Sequence, residues 1–282
     1  MFSELPELSD YYAKLVDTVS QFSFRVSFKS DGDILFDFVK GVADPSKDPQ
    51  NFTNFANQAV SDFLQANQTT SELGLGIKDD TFDTWIVPTV QAGPLHIRQD
   101  EEIVCHFLGK YLDNDCSMFV SSPYLNFTEN YQNLILSSKS KQVEIITASP
   151  KANGFYTAKD ISRFIPHAYV VVERKLFEAI QKMKKSQQIK INEYNKTNWT
   201  FHAKGIWCFR NSQSSVAPNH SVVFIGSPNL SQRSTERDLE SQLVIETKNK
   251  QLIEKFQKVK KKNPKKKQNS NEDSFFESKP QN

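Results

Sequence analysis

The residues best suited to chemistry lie between Trp199 and Thr247, where a histidine and a lysine stand two positions apart. On an extended strand, side chains at positions i and i+2 face the same side, so His202 and Lys204 are expected to project together. A neutral imidazole can attack phosphorus or carry a proton, and a neighbouring ammonium can neutralise the oxygens of a phosphoryl group. This spacing therefore suits phosphoryl transfer.

A second polar motif follows at a predicted strand-to-helix turn, in the order Gly226-Ser227-Pro228-Asn229. Ser227 and Asn229 can donate hydrogen bonds to the same phosphoryl oxygens. Glu240 comes eleven positions after Asn229. Its carboxylate can accept the second ring N–H of His202 and so fix the tautomer of a catalytic imidazole.

Two arginines, Arg233 and Arg237, follow this turn near the expected phosphate position. A guanidinium suits bidentate contacts with phosphate oxygens, so either arginine is a candidate for binding a substrate phosphate. The alternative is that both cap a solvated helix.

The same residues also have a purely structural interpretation. An H-x-K pattern taken alone is nearly expected by chance, whereas the ordered set with GSxN and a following carboxylate is rarer. His202 can be a hydrogen-bonded strand histidine, and Lys204 can hold its charge in solvent above an apolar stem. GSPN is also ordinary chemistry for a turn and for a helix start. We favour the catalytic interpretation because all the pieces occur in order.

The surrounding chain alternates between strand and helix patterns, which indicates an α/β layered domain. Predicted helices cover 7–22, 52–65, 100–112, 129–137 and 171–185, with another from residue 229. Predicted strands cover 24–29, 84–91, 117–124, 142–149, 189–195, 201–209, 220–227 and 239–247. A polar linker over 68–80 places a boundary near residue 80.

Composition excludes several classes of protein. With 38% hydrophobic and 24% charged residues over 282 positions, most of the chain should fold around a core. Three widely spaced cysteines, Cys105, Cys116 and Cys208, predict neither a disulfide framework nor a zinc site. No stretch reaches the roughly 18 apolar residues of a membrane span. We expect a soluble or peripheral protein.

The formal net charge of +2 is unevenly distributed, because nine lysines fall between Lys250 and Lys267. Such a run is usually a solvated tail, and it is sometimes a contact for anionic lipid or nucleic acid. From about Lys262 no apolar pattern remains, so the region 262–282 is predicted to be a disordered Lys-rich tail.

His202, Lys204, Gly226, Ser227 and Asn229 resemble the H-x-K and GSxN parts of the phospholipase D superfamily motif. Within that superfamily, WTFHAKGIW and FIGSPNLSQRSTERDLESQLVIET are similar to the mitochondrial phosphatidylglycerophosphate synthases of eukaryotes. NGFYTAKDISRFIPHAY (153–169), SSPYLNFTENY (121–131) and HIRQDE (96–101) resemble the same family. The likeness extends to about Lys260.

Three departures from the family pattern stand out. Phe209 occupies the position where the superfamily usually has Asp, and the gap from Lys204 to Gly226 is longer than usual. The other four histidines are not followed by a lysine two positions later, so the sequence contains one H-x-K. These enzymes resemble a pseudo-dimer with one motif in each half. We therefore expect the partner motif to lie upstream of Met1, and the chain to be the C-terminal portion of a longer enzyme.

The resemblance implies a phospholipase D-like mixed sheet flanked by helices, as the second half of a pseudo-dimeric fold. Residues 1–80 would be a remnant of the first half with a linker, and 81–261 the C-terminal phospholipase D-like domain, with its motif over 199–240. The opening segment Glu7–Lys29 would leave an apolar face exposed where the first half normally packs. The chain alone would be inactive.

The implied reaction moves a phosphatidyl group from CDP-diacylglycerol to glycerol 3-phosphate without a metal or cofactor. His202, Lys204 and Glu240 would be catalytic. The phosphate-binding residues would be Ser227, Asn229, Arg233 and Arg237. The implied location is mitochondrial and peripheral to the inner membrane, on an anionic lipid surface. The missing half or a second subunit would complete the site.

Three alternatives remain open. A phospholipase or cardiolipin synthase of the same superfamily would share these residues but use other acceptors. A nuclease is a second class, in which the basic tail would hold nucleic acid, although we do not expect nucleic acid as a partner. A non-catalytic fragment is the third.

Overall fold

The computed structural model describes residues 5–37, 39–67, 82–112, 115–210 and 219–262. Its strands are β1 (Arg25–Phe28), β2 (Ile34–Asp37), β3 (Thr84–Ala92), β4 (Cys116–Ser121), β5 (Gln142–Ala148), β6 (Ile189–Tyr194), β7 (Gly205–Arg210), β8 (His220–Gly226) and β9 (Leu239–Thr247). Its α-helices are α1 (Pro6–Ser20), α2 (Pro49–Ala66), α3 (Gln99–Tyr111), α4 (Glu129–Ser137), α5 (Ile165–Lys182), α6 (Gln232–Glu236) and α7 (Lys250–Lys262).

A mixed sheet with the order β3-β9-β8-β7-β4-β5-β6 forms the centre of the described chain. β4, β5 and β6 run parallel, because helices connect them, and the remaining neighbours are antiparallel. Strand β7 lies between β8 and β4, so the histidine motif comes beside both the serine pair that ends β4 and the GSPN turn that follows β8.

The two faces of the sheet are covered by different helices. Apolar residues of α3, α4 and α5, such as Val104, Ile135 and Ile180, bury one face together with Met118 and Phe224. Burial of large apolar side chains on this scale supplies most of the driving force for folding.

Helix α7 covers part of the opposite face through Ile253 and Phe256, which pack with Phe119 and Phe209. The sequence prediction missed this helix, because the lysines that dominate its composition mask three apolar positions at helical spacing. Its basic residues Lys250, Lys255 and Lys258 are exposed. The predicted disordered tail at 262–282 lies outside the described residues from 263 onward.

The N-terminal helices pack against the β3 edge of the sheet. Tyr11 and Leu15 of α1 and Val60 of α2 form a buried cluster with Val90 and Ala92 of β3. The expectation that the segment Glu7–Lys29 leaves an apolar face exposed is therefore wrong for its helical part, since α2 and β3 cover that face of α1. Val26 and Phe28, at the end of the segment, are exposed. The predicted boundary near residue 80 falls in the range 68–81, outside the described residues.

An exposed apolar surface occurs instead on the β1–β2 hairpin. Val26 pairs with Phe36 and Phe28 pairs with Ile34. Directly opposed residues share one face of an antiparallel pair, and all four are exposed. These four side chains give the hairpin an exposed apolar face. No described helix has both the length and the apolar character required to cross a membrane.

Candidate phosphoryl-transfer site

His202 and Lys204 lie on the segment that leads into β7, and not on the strand itself. The structure begins β7 at Gly205, so the strand predicted over 201–209 starts four residues too early. The segment is held at both sides, because the Phe201 N–H donates to the Ala152 carbonyl at 2.9 Å and the Ser121 hydroxyl donates to the Ala203 carbonyl at 3.1 Å.

The predicted convergence of the two side chains is present. The Lys204 ammonium lies 3.3 Å from Nδ1 and 3.1 Å from Nε2 of His202. The imidazole is exposed, so a substrate can reach it from solvent. Partial burial and then the Lys204 charge lower the pKa of His202. Burial also lowers the pKa of Lys204, although the nearby Glu240 carboxylate opposes that shift.

Glycine is required directly after this pair. Gly205 has φ +146°, a region that L side chains rarely adopt, and a Cβ there would lie 2.7 Å from the Phe224 carbonyl oxygen. The close approach of β7 to β8 therefore occurs at the residue directly after Lys204. It determines where the chain that carries the histidine and lysine joins the sheet.

The GSPN turn depends on a second close approach. A Cβ on Gly226 would lie 2.1 Å from Cβ of Gln242 on the neighbouring strand β9. Ser227 is exposed, and its N–H donates to the Ser241 carbonyl at 3.1 Å. Its hydroxyl oxygen accepts the Ser241 N–H at 3.2 Å, so the side chain is hydrogen-bonded to β9.

Asn229 is positioned by side chains from two other elements. Its backbone N–H donates to the Ser234 hydroxyl at 3.0 Å, and its carbonyl accepts the Ser122 hydroxyl at 2.6 Å. Its side-chain Oδ1 is buried and has no hydrogen-bond partner among the residues that the structure describes. The backbone of Asn229 is therefore held in place, while its side-chain oxygen has bonding capacity to spare among the described residues.

Glu240 is buried. Its carboxylate contacts Ser234, whereas we expected it to accept a hydrogen bond from His202. The Ser234 hydroxyl donates to Glu240 Oε1 at 2.9 Å. Over the described ranges, Glu240 and His202 share no hydrogen bond, and the carboxylate acts on the Lys204 ammonium through its charge. The arrangement links Asn229, Ser234 and Glu240 in one polar chain behind the lysine.

The two arginines differ in their surroundings. Arg233 Nε donates to Asp238 Oδ1 at 3.2 Å, and the positive charge of Arg233 lies close enough to Tyr124 and Tyr169 to affect the pKa of both phenols. Arg237 follows the last residue of the short helix α6 and is exposed. Arg233 therefore lies on the His202 side of the turn, since Tyr124 contacts His202.

Sequence reasoning missed four residues of this site. The Tyr124 ring lies 6.1 Å from the His202 ring and 5.3 Å from the Tyr169 ring, centroid to centroid. Ser121 and Ser122 end β4 and bond to the two motif segments. The SSPY run at the end of an apolar strand was the available signal, because polar residues at strand ends often line sites.

Phe209, at the position where the superfamily usually has aspartate, lies in an apolar environment. Phe209 is buried in the cluster beneath α7, and its ring lies 6.1 Å from that of Phe119. An aspartate at this position would bury a charge among apolar side chains. Histidine, cysteine and carboxylate side chains form no group of three suited to a metal ion within the described ranges.

The fold and this site define the class of protein. The chain belongs to the phospholipase D-like family described as cardiolipin synthase, PLD-like domain, whose model matches residues 113–260. A phosphatidylserine synthase from Haemophilus influenzae has a similar fold, with a TM-score of 0.52 at 20% identity over 63% of this chain and 38% of its own. The predicted phospholipase D-like mixed sheet is confirmed.

Comparison with curated relatives narrows the resemblance. The chain is 36% identical over 265 residues to a protein from Dictyostelium discoideum named as a probable CDP-diacylglycerol–glycerol-3-phosphate 3-phosphatidyltransferase. It is 32% identical to the mitochondrial enzyme of that name from Homo sapiens. The matches cover 90% and 87% of this chain but only 44% and 46% of the relatives. The predicted resemblance to this family is confirmed, and the chain spans less than half the length of these relatives.

Proposed function

We propose that this chain supplies one half of the active site of a phosphatidyltransferase that moves a phosphatidyl group from CDP-diacylglycerol to glycerol 3-phosphate. The observation that carries this proposal is the contact of the Lys204 ammonium with both ring nitrogens of His202 on an exposed segment. The names of the relatives supply the donor and the acceptor.

The reaction requires two groups, a nucleophile and an acid that later acts as a base. In the first step a histidine nitrogen bonds to the phosphatidyl phosphorus, the bond from phosphorus to the CMP oxygen breaks, and an acid protonates CMP. In the second step the group that protonated CMP, now a base, takes a proton from a glycerol 3-phosphate hydroxyl. The new oxygen–phosphorus bond forms as the nitrogen–phosphorus bond breaks. One imidazole cannot hold phosphorus and deliver that proton at once.

We assign the acid and base role to His202. Anionic substrate phosphates beside the ring raise the pKa of an imidazole, which counters the lowering by burial and Lys204 in the free site. Lys204 neutralises charge on the phosphoryl oxygens, and Glu240 holds that ammonium electrostatically. Ser227, Asn229, Arg233 and Arg237 are proposed phosphate ligands.

The nucleophilic histidine then comes from outside the 282 residues. His202 is the one histidine with H-x-K spacing in the sequence, so either a further polypeptide segment or a second copy must contribute the partner. The exposed β1–β2 hairpin face is a candidate contact for that partner. A single copy of the chain should therefore not catalyse the reaction.

The proposed location is mitochondrial and peripheral to the inner membrane, since relatives of the chain are named as mitochondrial and the donor is a lipid. The lysine-rich region after Lys262 would add attraction to anionic lipid.

The decisive experiment measures CMP release from CDP-diacylglycerol by the chain alone and by the chain fused to the part of the Dictyostelium relative that it does not match. We expect CMP release from the fusion only, and we expect that release to require glycerol 3-phosphate. His202→Asn should lower the rate at least about 100-fold. The matched control is His106→Asn, on the exposed side of α3, which should leave the rate unchanged.

Two results would reject the proposal. One is a His202→Asn fusion that retains activity within about tenfold of the parent. The other is a parent fusion that uses phosphatidylglycerol, phosphatidylcholine or DNA in preference to the proposed pair of substrates, which would identify a cardiolipin synthase, phospholipase or nuclease. Robust release by the lone chain would show that a second copy completes the site.

A further inference from the structure

Two loops beside His202 present exposed apolar side chains together with basic ones. Tyr156, Ile161 and Phe164 lie on the loop between β5 and α5, and Trp199 lies directly before the histidine motif. Ile161 is 83% exposed and Trp199 is 58% exposed. Large apolar side chains exposed together near a site usually mark a binding surface. We call these four residues the apolar rim.

The two loops meet at their bases next to the site. The Phe201 N–H donates to the Ala152 carbonyl at 2.9 Å, which pairs the segment after Trp199 with the start of the longer loop. The rings of Phe155 and His202 both lie against Tyr124, with centroid distances of 5.9 and 6.1 Å. A substrate bound at His202 therefore lies beside the two loops that carry the rim.

Two of the rim residues directly follow residues in left-handed backbone conformations. Asp160 has φ 55° and Asn198 has φ 60°, and they directly precede Ile161 and Trp199. Left-handed conformations cost free energy for residues other than glycine, although aspartate and asparagine tolerate them best. The surrounding structure maintains both of these turns while leaving the apolar side chains that follow in solvent.

The charges on the two loops are mainly positive. Lys151, Lys159, Arg163 and Lys196 are exposed there, and Asp160 is the acidic residue among them. The Lys196 ammonium lies 3.5 Å from the centroid of the Trp199 ring, and the Arg163 guanidinium lies 4.8 Å from that of Phe164. Tryptophan, tyrosine and basic residues combine in this way at the level of lipid headgroups.

We propose that the apolar rim and the basic residues around it insert into the headgroup region of an anionic phospholipid bilayer and place His202 at that level. This inference deepens the proposed function and rests on it, because membrane binding matters here only if the donor substrate is a lipid. A lipid donor would keep its acyl chains in the bilayer while its phosphates reach the site. Basic side chains add an attraction that weakens as salt rises.

The test measures binding of the purified full chain to sedimented vesicles of phosphatidylcholine with and without phosphatidylglycerol, in the absence of CDP-diacylglycerol. Ile161→Ser combined with Trp199→Ser should lower binding to anionic vesicles at least about tenfold. Arg163→Gln combined with Lys196→Gln should lower binding to anionic vesicles and leave binding to neutral ones unchanged. Brominated lipid should quench the tryptophan fluorescence of the parent, and it should quench that of Trp199→Phe less.

The matched control is Phe28→Ser with Phe36→Ser, which removes two equally exposed apolar side chains from the hairpin face. We expect binding within about twofold of the parent.

Unchanged binding of the rim variant, an equal loss in the hairpin variant, or no binding by the parent would each overturn the proposal. A rim variant that changes oligomeric state while vesicle binding persists would identify a protein partner and also overturn it. Because no turnover is measured, failure here leaves the proposed reaction standing, and failure of the reaction leaves this result standing.

Discussion

The hydroxyl of Ser122 donates a 2.6 Å hydrogen bond to the carbonyl of Asn229. This contact joins the end of β4 to the GSPN turn, although the two residues are 107 positions apart in sequence. Ser121 makes the corresponding bond to the Ala203 carbonyl at 3.1 Å. Adjacent serines therefore position both halves of the phosphoryl-transfer motif.

Removal of the first of these bonds should loosen the turn. Ser122 is fully buried, so Ser122→Ala leaves the Asn229 carbonyl without this donor and should lower the free energy of unfolding by about 1–2 kcal/mol. Urea unfolding measures the change. Ser137→Ala, which removes a hydroxyl bonded to the Leu134 carbonyl at an exposed position, should change it by less than about 0.5 kcal/mol. Equal effects of the two substitutions would contradict this account.

The charge of Lys204 should be visible in the titration of His202. Burial and then the Lys204 ammonium lower the pKa of the imidazole. Lys204→Met removes the charge, so the pKa should rise, while burial keeps it below the ordinary value. The measurement is an NMR pH titration in which His202→Asn identifies the signal.

A charge-removing substitution elsewhere provides the control for this titration. Lys139→Met changes an exposed lysine beyond α4 and should leave the pKa of His202 where it was. A His202 pKa that does not move in Lys204→Met would mean that the ammonium does not occupy the observed position in solution.

Gly226 should tolerate no side chain. Gly226→Ala places a Cβ 2.1 Å from Cβ of Gln242 and 2.5 Å from the Ser241 carbonyl oxygen, so β8 and β9 must separate. We expect a loss of at least about 2 kcal/mol in unfolding free energy. In Gly109→Ala the nearest side-chain atom is 3.9 Å away on a helix, so a gain of about 0.5–1 kcal/mol is expected. Thermal unfolding compares both variants, and a harmless Gly226→Ala would refute the close approach.

Glu173 should make stability depend on pH. Burial, with a smaller effect from Glu193, raises its pKa from 4.5 to about 8, and its Oε1 has no hydrogen-bond partner among the described residues. The folded state therefore holds a proton that the unfolded state releases above pH 4.5. This contribution is fully present at lower pH, and it is lost as the pH rises from there through about 8.

Glu173→Gln removes that titration. Near pH 7 the variant should be more stable than the parent by about 2–3 kcal/mol, and the difference should vanish near pH 4.5. Unfolding midpoints measured across this range provide the check. Glu178→Gln, on the same helix and paired with Arg174 in solvent, should change stability by less than about 1 kcal/mol at every pH. A pH-independent gain for Glu173→Gln would point to packing as its cause.

Elements with a clear apolar period could be predicted well from the sequence. The helix predicted at 129–137 and the strand at 239–247 coincide with α4 and β9. Helix α7 was missed because its lysines concealed Ile253 and Phe256, which are buried only because a sheet lies beneath them. The start of α5 at Ile165 was also missed, since Pro166 read as a loop residue although it suits the first turn of a helix.

The sequence by itself determined the two-residue spacing of His202 and Lys204, from which we predicted that the side chains converge. They do converge, although β7 begins only at Gly205. It also determined that Gly226 precedes a turn. Only the tertiary structure decided that Glu240 bonds to Ser234, that Tyr124 lies against His202, and that Ser122 supports Asn229. Those contacts join residues whose proximity depends on β7 lying between β8 and β4. Strand order is a property of how whole faces are buried, and no local spacing of residue types encodes it.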